Sequence, residues 1–204
     1  MNLPNKLTVA RCIMTIVFVG LMSCGHVVST FVAYLVFIAA SVTDYYDGKI
    51  ARERNLVTNF GKLLDPVADK LLLISAFIML MEIPELRVPG WSVIIILARE
   101  FLVTGARSIA AAEGEVIAAN QWGKTKTVLQ MIYVFTFLLM ALVIQALEQM
   151  HILANLDNET TVIVLNVIRQ ASFIGILLVA AFTVHSGIQF AWANRKLFNM
   201  DSCK

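Results

Sequence analysis

The chain has 204 residues, 59% hydrophobic and 15% charged, with a mean hydropathy of +0.78 and a formal net charge of +2. A soluble domain carries roughly 25% charged residues, so this composition excludes the soluble class and predicts an all-α integral membrane protein. Cys12, Cys24 and Cys203 have neither disulfide nor metal spacing, and His26, His151 and His185 form no cluster, which excludes a disulfide scaffold or a zinc site.

Apolar stretches able to cross a bilayer, about 20 residues each, fall in chain order at roughly 8–25, 28–47, 65–83, 91–112, 125–147 and 171–192. The first follows Lys6 and Arg11 and ends in LMSC, imitating a secretory or lipoprotein signal. Met22 fits such a site poorly, and the six-helix count requires the run to be retained. Between the third and fourth spans, Pro84 and Pro89 bracket an outer turn, EIPELRVPG. The longest irregular stretch is Glu148 to Gln170, whose TTVIVLNVI segment reads either as an interfacial helix or as an outward extension of the last span. Trp91, Trp122 and Trp192 fall at span ends, as an aromatic belt requires. Barrel-type alternation is absent, as are internal repeats and soluble insertions. The expectation is one domain over residues 1–204 with six transmembrane helices.

The Lys and Arg residues orient it. Most of the 16 lie on the segments that share a side with both termini. The opposite segments keep only Arg87 and Arg169, and Arg99 lies within a span. Both termini are therefore expected in the cytoplasm, with the basic pI reflecting the anionic inner leaflet and no nucleic-acid partner.

The segment TDYYDGKIARERNLVTNFGKLLDPVADK, Thr43 to Lys70, sets four aspartates beside very apolar sequence. Asp44 and Asp47 are three apart at the end of the second span, and Asp65 and Asp69 four apart at the start of the third. On a helix each pair shares a face, so four carboxylates can converge at one depth. Each ionised group well inside the bilayer costs roughly 2.5–3.5 kcal/mol, and four together on the order of 10 kcal/mol. Two divalent cations would neutralise them, and an all-carboxylate donor set favours Mg²⁺ or Mn²⁺ over Zn²⁺. Paired metals on carboxylates suit displacement at phosphorus. Gly48 and Ala51 continue the carboxylate face as bare backbone against which a nucleotide could lie. Arg52 can meet a phosphate in bidentate fashion, and Gly61 offers the same close approach from the other helix. Taken singly, each aspartate reads as a helix cap or an interfacial partner of Lys62 or Lys70; four at these spacings do not.

The pattern Asp44-x2-Asp47-Gly48-x2-Ala51-Arg52-x8-Gly61-x3-Asp65-x3-Asp69 resembles, without a departure, the signature of the CDP-alcohol phosphatidyltransferases. The resemblance implies a six-helical, usually dimeric enzyme with a divalent-metal site at the cytoplasmic side. It implies that Asp44, Asp47, Asp65 and Asp69 ligate metal, that Asp69 also takes the proton of the acceptor alcohol, and that Gly48, Ala51, Arg52 and Gly61 line the CDP site. NLPNKLTVAR, LLDPVADKLLL, AREFLVTGARS and WGKTKTVLQ are similar to bacterial members that join CDP-diacylglycerol to glycerol 3-phosphate, at the inner membrane. This likeness spans most of residues 2–130.

Such an enzyme must hold a dianionic phosphate, and Arg99, Arg107 and Lys124 are the cations the resemblance assigns to it. Arg99 and Arg107, eight apart, lie about 80° apart around a helix and can face one cavity. Glu100 is expected to orient Arg99, and Lys126 to serve as an interfacial anchor. At the N-terminus, Pro4 suits a first helical turn. Asn5, Thr8 and Arg11 recur every three residues, predicting a cytoplasmic-surface helix that edges the CDP pocket.

Two alternatives stand beside this reading. One is a sister enzyme with another acceptor, in cardiolipin, serine or inositol phospholipid synthesis; the other is a divalent-cation transporter using the same carboxylates. Against transport, Glu82, Glu85, Glu148, Asp157 and Glu159 sit in outer turns and form no acidic relay.

Overall fold

The computed structural model describes residues 3–54, 59–112, 117, 121–151 and 158–195, and the side chains of 8–43, 68, 70–111, 117, 121–151 and 159–195. Among the described residues there are six α-helices and no strand: α1 (Leu3–Ser23), α2 (Val27–Arg54), α3 (Asn59–Met81), α4 (Gly90–Ala112), α5 (Gln121–Gln149) and α6 (Asn158–Ala193). Each coincides with one predicted span, but most run further. Hydropathy marks where a helix meets lipid and not where its hydrogen bonding stops. The Lys, Arg and Glu residues that close α2 are good helix formers, so that helix continues to Arg54.

Within the stretch from Glu148 to Gln170, the described residues from Asn158 onward form no separate helix and lengthen the last one. α5 runs to Gln149, and α6 is one helix of 36 residues from Asn158. At 1.5 Å per residue, α6 is about 54 Å long, beyond the roughly 30 Å of a hydrocarbon core. Two helices, α5 and α6, are long and apolar enough to cross a membrane; α1, α2 and α3 contain shorter apolar runs, Thr8–Ser23, Val27–Thr43 and Lys70–Met81.

Short links set the bundle. Gly25 takes a left-handed φ of +68° between α1 and α2, a conformation without penalty only for glycine. The Ser29 hydroxyl then bonds back to the His26 carbonyl at 2.7 Å. Between α3 and α4 the predicted turn contains a 3₁₀ turn, Pro84–Leu86, and a left-handed Arg87. Leu86 is buried, and the Arg87 guanidinium lies 5.2 Å from the centre of the Phe173 ring on α6.

α1 packs on α2 and α3, α4 and α5 pack on α6, and the two halves join where α3 meets α4 and α5 and where α2 meets α5. Phe37 links the halves, 5.6 Å from Phe18 and 5.0 Å from Phe135. Phe77 stacks on Tyr133 at 5.9 Å. Tyr133 Oη in turn reaches the carbonyl of Ser172 at 3.2 Å and its hydroxyl at 3.0 Å.

The core is apolar, with Phe18, Phe37, Phe77, Leu80 and Ile96 fully buried, but polar side chains are buried beside it and large aliphatic ones face outward. Thr8, Arg11, Thr15, Thr30, Ser92, Lys126, Gln130, Ser172, Thr183 and Ser186 are buried, while Ile16, Val28, Leu102, Leu178 and Ile188 are exposed. Lipid is as apolar as Leu, so helices in it associate through small and hydrogen-bonding residues and turn their aliphatic side chains outward. Thr30 shows the pattern, donating to Gln145 Oε1 at 2.7 Å across α2 and α5.

This burial of polar residues corrects one expectation. Thr8 and Arg11 do not edge a surface helix: with Thr15, Phe18 and Met22 they form the buried face of α1. A three-residue recurrence and a core stripe share a period, and the bundle takes the stripe inward.

Candidate active site

A cavity of about 690 Å³ opens between α3, α4 and α5. Its apolar walls include Leu73, Phe77 and Ile96, and among the described residues its charged groups are Lys70, Arg99, Arg107, Lys124 and Lys126 with the carboxylate of Glu100. The three cations expected to act together, Arg99, Arg107 and Lys124, thus line one space. Arg99 and Glu100 sit mid-way along α4 and Arg107 two turns further on, while Lys124 and Lys126 begin α5. Lys70 enters from α3, immediately after Asp69.

Hydrogen bonds fix most of these groups. Arg99 Nη2 donates to Ser186 Oγ of α6 at 2.8 Å, and Nη1 lies 3.9 Å from Glu100 Oε1. Lys126 Nζ forms a close ion pair with that same carboxylate oxygen. Lys70 Nζ donates to the Glu100 carbonyl at 3.3 Å and to Thr104 Oγ1, whose hydroxyl returns to the Glu100 carbonyl at 2.7 Å. The Arg107 guanidinium carbon stands 5.5 Å from the centre of the Phe190 ring. The Nε–H groups of Arg99 and Arg107 find no acceptor among the described residues. Guanidinium Nε–H groups without an acceptor among the described residues, on a wall that gathers five cations, are matched to an anion with several oxygens.

Lys126 is the clearest correction to the sequence reading. It is buried and paired, so it is not an interfacial anchor. Its position was legible: Lys126, Gln130, Tyr133, Phe137 and Ile144 are all buried on α5, and Lys126 begins that stripe. Glu100 lies beside Arg99 as expected, but Lys126 is its nearer partner. Sequence reasoning weighed Lys70 only as an interfacial partner of an aspartate and passed over Thr104, and it had no signal for Ser186 or Phe190, whose roles arise only when α6 packs on α4.

The backbone places Asp44, Asp47, Gly48, Ala51 and Arg52 on the last turns of α2, and Gly61, Asp65 and Asp69 on the first turns of α3. Four residues separate these helices, so both sets occupy one end of the bundle. Asn5 belongs to α1. The side chains of all nine lie outside the described residues; Thr8 is described and buried.

A cation-lined cavity in a helical bundle with an apolar exterior and two helices able to cross a membrane, at the side of helix turns bearing four aspartates, points to a membrane-associated protein for phosphate-bearing ligands. The family model described as CDP-alcohol phosphatidyltransferase matches residues 1–156. The chain belongs to this family. It is 46% identical over 150 residues to the CDP-diacylglycerol–glycerol-3-phosphate 3-phosphatidyltransferase of Bacillus subtilis (strain 168), covering 68% of this chain and 77% of that one. Proteins of the same name from Rickettsia bellii (strain RML369-C) and Mycoplasma pneumoniae (strain ATCC 29342 / M129 / Subtype 1) are 44% and 37% identical, over 64% and 67% of this chain and 71% and 70% of theirs.

Proposed function

We propose that this chain transfers the phosphatidyl group of CDP-diacylglycerol to the primary hydroxyl of glycerol 3-phosphate, giving phosphatidylglycerol phosphate and CMP. The observation that carries the reading is the convergence of Arg99, Arg107 and Lys124 on one cavity whose α3 wall continues from Asp69 to Lys70. The acceptor phosphate is held by those three cations, which brings the free hydroxyl toward the turn of Asp69. Asp69 takes the proton of that hydroxyl, and the oxygen attacks the lipid-bearing phosphorus as the bond to CMP breaks. Arg52, with the bare backbone at Gly48, Ala51 and Gly61, receives the CDP portion. Asn5 completes its edge from α1.

Asp44, Asp47, Asp65 and Asp69 would hold two divalent ions, Mg²⁺ or Mn²⁺, whose chemistry when bound is to neutralise negative charge between the two phosphates. The six helices span the inner membrane of the cell with both termini in the cytoplasm, and the site opens to the cytoplasmic side, where the water-soluble acceptor arrives. The apolar surroundings accept the two acyl chains of the donor. The protein acts as a homodimer within the lipid.

The test is CMP release by the purified protein given CDP-diacylglycerol and Mg²⁺ or Mn²⁺, with and without glycerol 3-phosphate, with the product weighed by mass spectrometry. The reading requires release that depends on metal and on glycerol 3-phosphate. Release with serine, inositol or phosphatidylglycerol in its place would keep the aspartates and discard the acceptor assignment. Ion flux in liposomes without CMP release would discard the enzyme.

A further inference from the structure

One flank of the cavity is supported by α6, which lies outside the matched residues 1–156. Thr183, Ser186, Gly187 and Phe190 are spaced i, i+3, i+4 and i+7, so they share one helix face. Each meets a residue of the cavity. Ser186 Oγ accepts from Arg99 Nη2 at 2.8 Å. A Cβ placed on Gly187 would come within 3.1 Å of Arg99 Cγ. Phe190 faces Arg107, and Thr183 Oγ1 accepts from Gln130 Nε2 at 3.4 Å.

We propose that Ser186 and Gly187 are positioning residues for the acceptor, acting through Arg99. Gly187 leaves room for the arginine stem to pass against α6, and Ser186 holds one guanidinium nitrogen. The other side of the guanidinium then stays at the cavity it lines. The chemistry of the hold matters. A carboxylate in place of Ser186 would cancel the guanidinium charge, whereas a hydroxyl orients it and leaves the charge for a phosphate dianion. Glu100, the carboxylate near Arg99, is in turn engaged by Lys126. The inference rests on the reading of Arg99 as a ligand of the acceptor phosphate.

The experiment measures kcat and both KM values for the full-length protein and for Ser186→Ala, Gly187→Ala, Arg99→Gln and the double variant Ser186→Ala/Arg99→Gln. Losing one hydrogen bond to a charged group corresponds to roughly tenfold. Ser186→Ala and Gly187→Ala are expected to raise the KM for glycerol 3-phosphate by about that factor, with kcat and the KM for CDP-diacylglycerol changing less than about twofold. Because contacting residues couple, Ser186→Ala should add nothing in the Arg99→Gln background. The proposal is overturned if Arg99→Gln raises the acceptor KM while Ser186→Ala leaves it unchanged. It is equally overturned if Ser186→Ala weakens both substrates alike, or acts undiminished without Arg99. No effect of Arg99→Gln on the acceptor KM would instead remove the reading of Arg99 on which the proposal stands, and the proposal with it. Should Gly187→Ala fail to fold, the Ser186 and Arg99 variants decide the matter alone.

Discussion

Glu100 follows Arg99 in the chain, yet its carboxylate pairs closely with Lys126 of α5 and stands 3.9 Å from Arg99 Nη1. The pair crosses the cavity wall between α4 and α5, with side chains only 13% and 4% exposed. Removing one member of a buried pair leaves an uncompensated charge, at a cost of about 3–5 kcal/mol, while replacing both with apolar groups is often neutral. Lys126→Met should therefore lower the thermal unfolding midpoint in detergent more than Lys126→Met/Glu100→Met does. A double variant less stable than the single one would mean that Arg99 compensates the Glu100 carboxylate without Lys126, contrary to this account.

Gly175 of α6 lies against the ring of Tyr133, where an added Cβ would come within 3.0 Å of Cε2 and 3.2 Å of Cδ2. That ring is buried, stacked on Phe77 and anchored at Ser172, so it cannot swing away without losing these contacts. Overpacking a tight core costs about 1–3 kcal/mol. Gly175→Ala is expected to lower the unfolding midpoint while leaving both substrate KM values unchanged. An unshifted midpoint would show that α5 and α6 can separate locally at this point.

Arg107 carries the same phosphate reading as Arg99 but rests on an aromatic ring, Phe190, and not on a hydroxyl. A planar guanidinium both stacks on a ring and forks toward two oxygens, which an ammonium does not. Arg107→Gln should raise the KM for glycerol 3-phosphate roughly tenfold or more, and Arg107→Lys should recover less than half of the loss on a logarithmic scale. Full recovery with Lys would reduce the role of Arg107 to charge alone.

Much of this arrangement was legible in the sequence because lipid makes charge conspicuous. Arg99 inside an apolar run, and aspartates in pairs at helical spacing, have few structural explanations, and the chain places them on the helices expected. Lys126 was misread because a lysine near a span end looks like an anchor; only its phase with Gln130, Tyr133 and Phe137 identifies it as inward-facing. The α5–α6 boundary escaped because the TTVIVLNVI segment is apolar enough for either an interfacial helix or a longer span. Ser186, Gly187 and Phe190 were invisible for a different reason. Small and apolar residues on a hydrophobic helix carry no signal until a neighbour, here α4, is packed against them.

The four aspartates admit the sharpest test, because one of them is assigned two tasks. If Asp69 takes the acceptor proton, Asp69→Asn keeps an oxygen at the position and loses the base, so kcat should fall by about 10²–10⁴-fold with the KM for glycerol 3-phosphate little changed. Such a pattern marks an interaction made in the transition state and not in the ground state. Chelation with EDTA should abolish turnover by the unaltered protein, and added Mg²⁺ or Mn²⁺ should restore it. The same addition should not restore Asp69→Asn, since the missing group is the proton acceptor. An Asp69→Asn protein within tenfold of full turnover would remove Asp69 from proton transfer, and recovery of that variant at high metal concentration would confine Asp69 to metal binding.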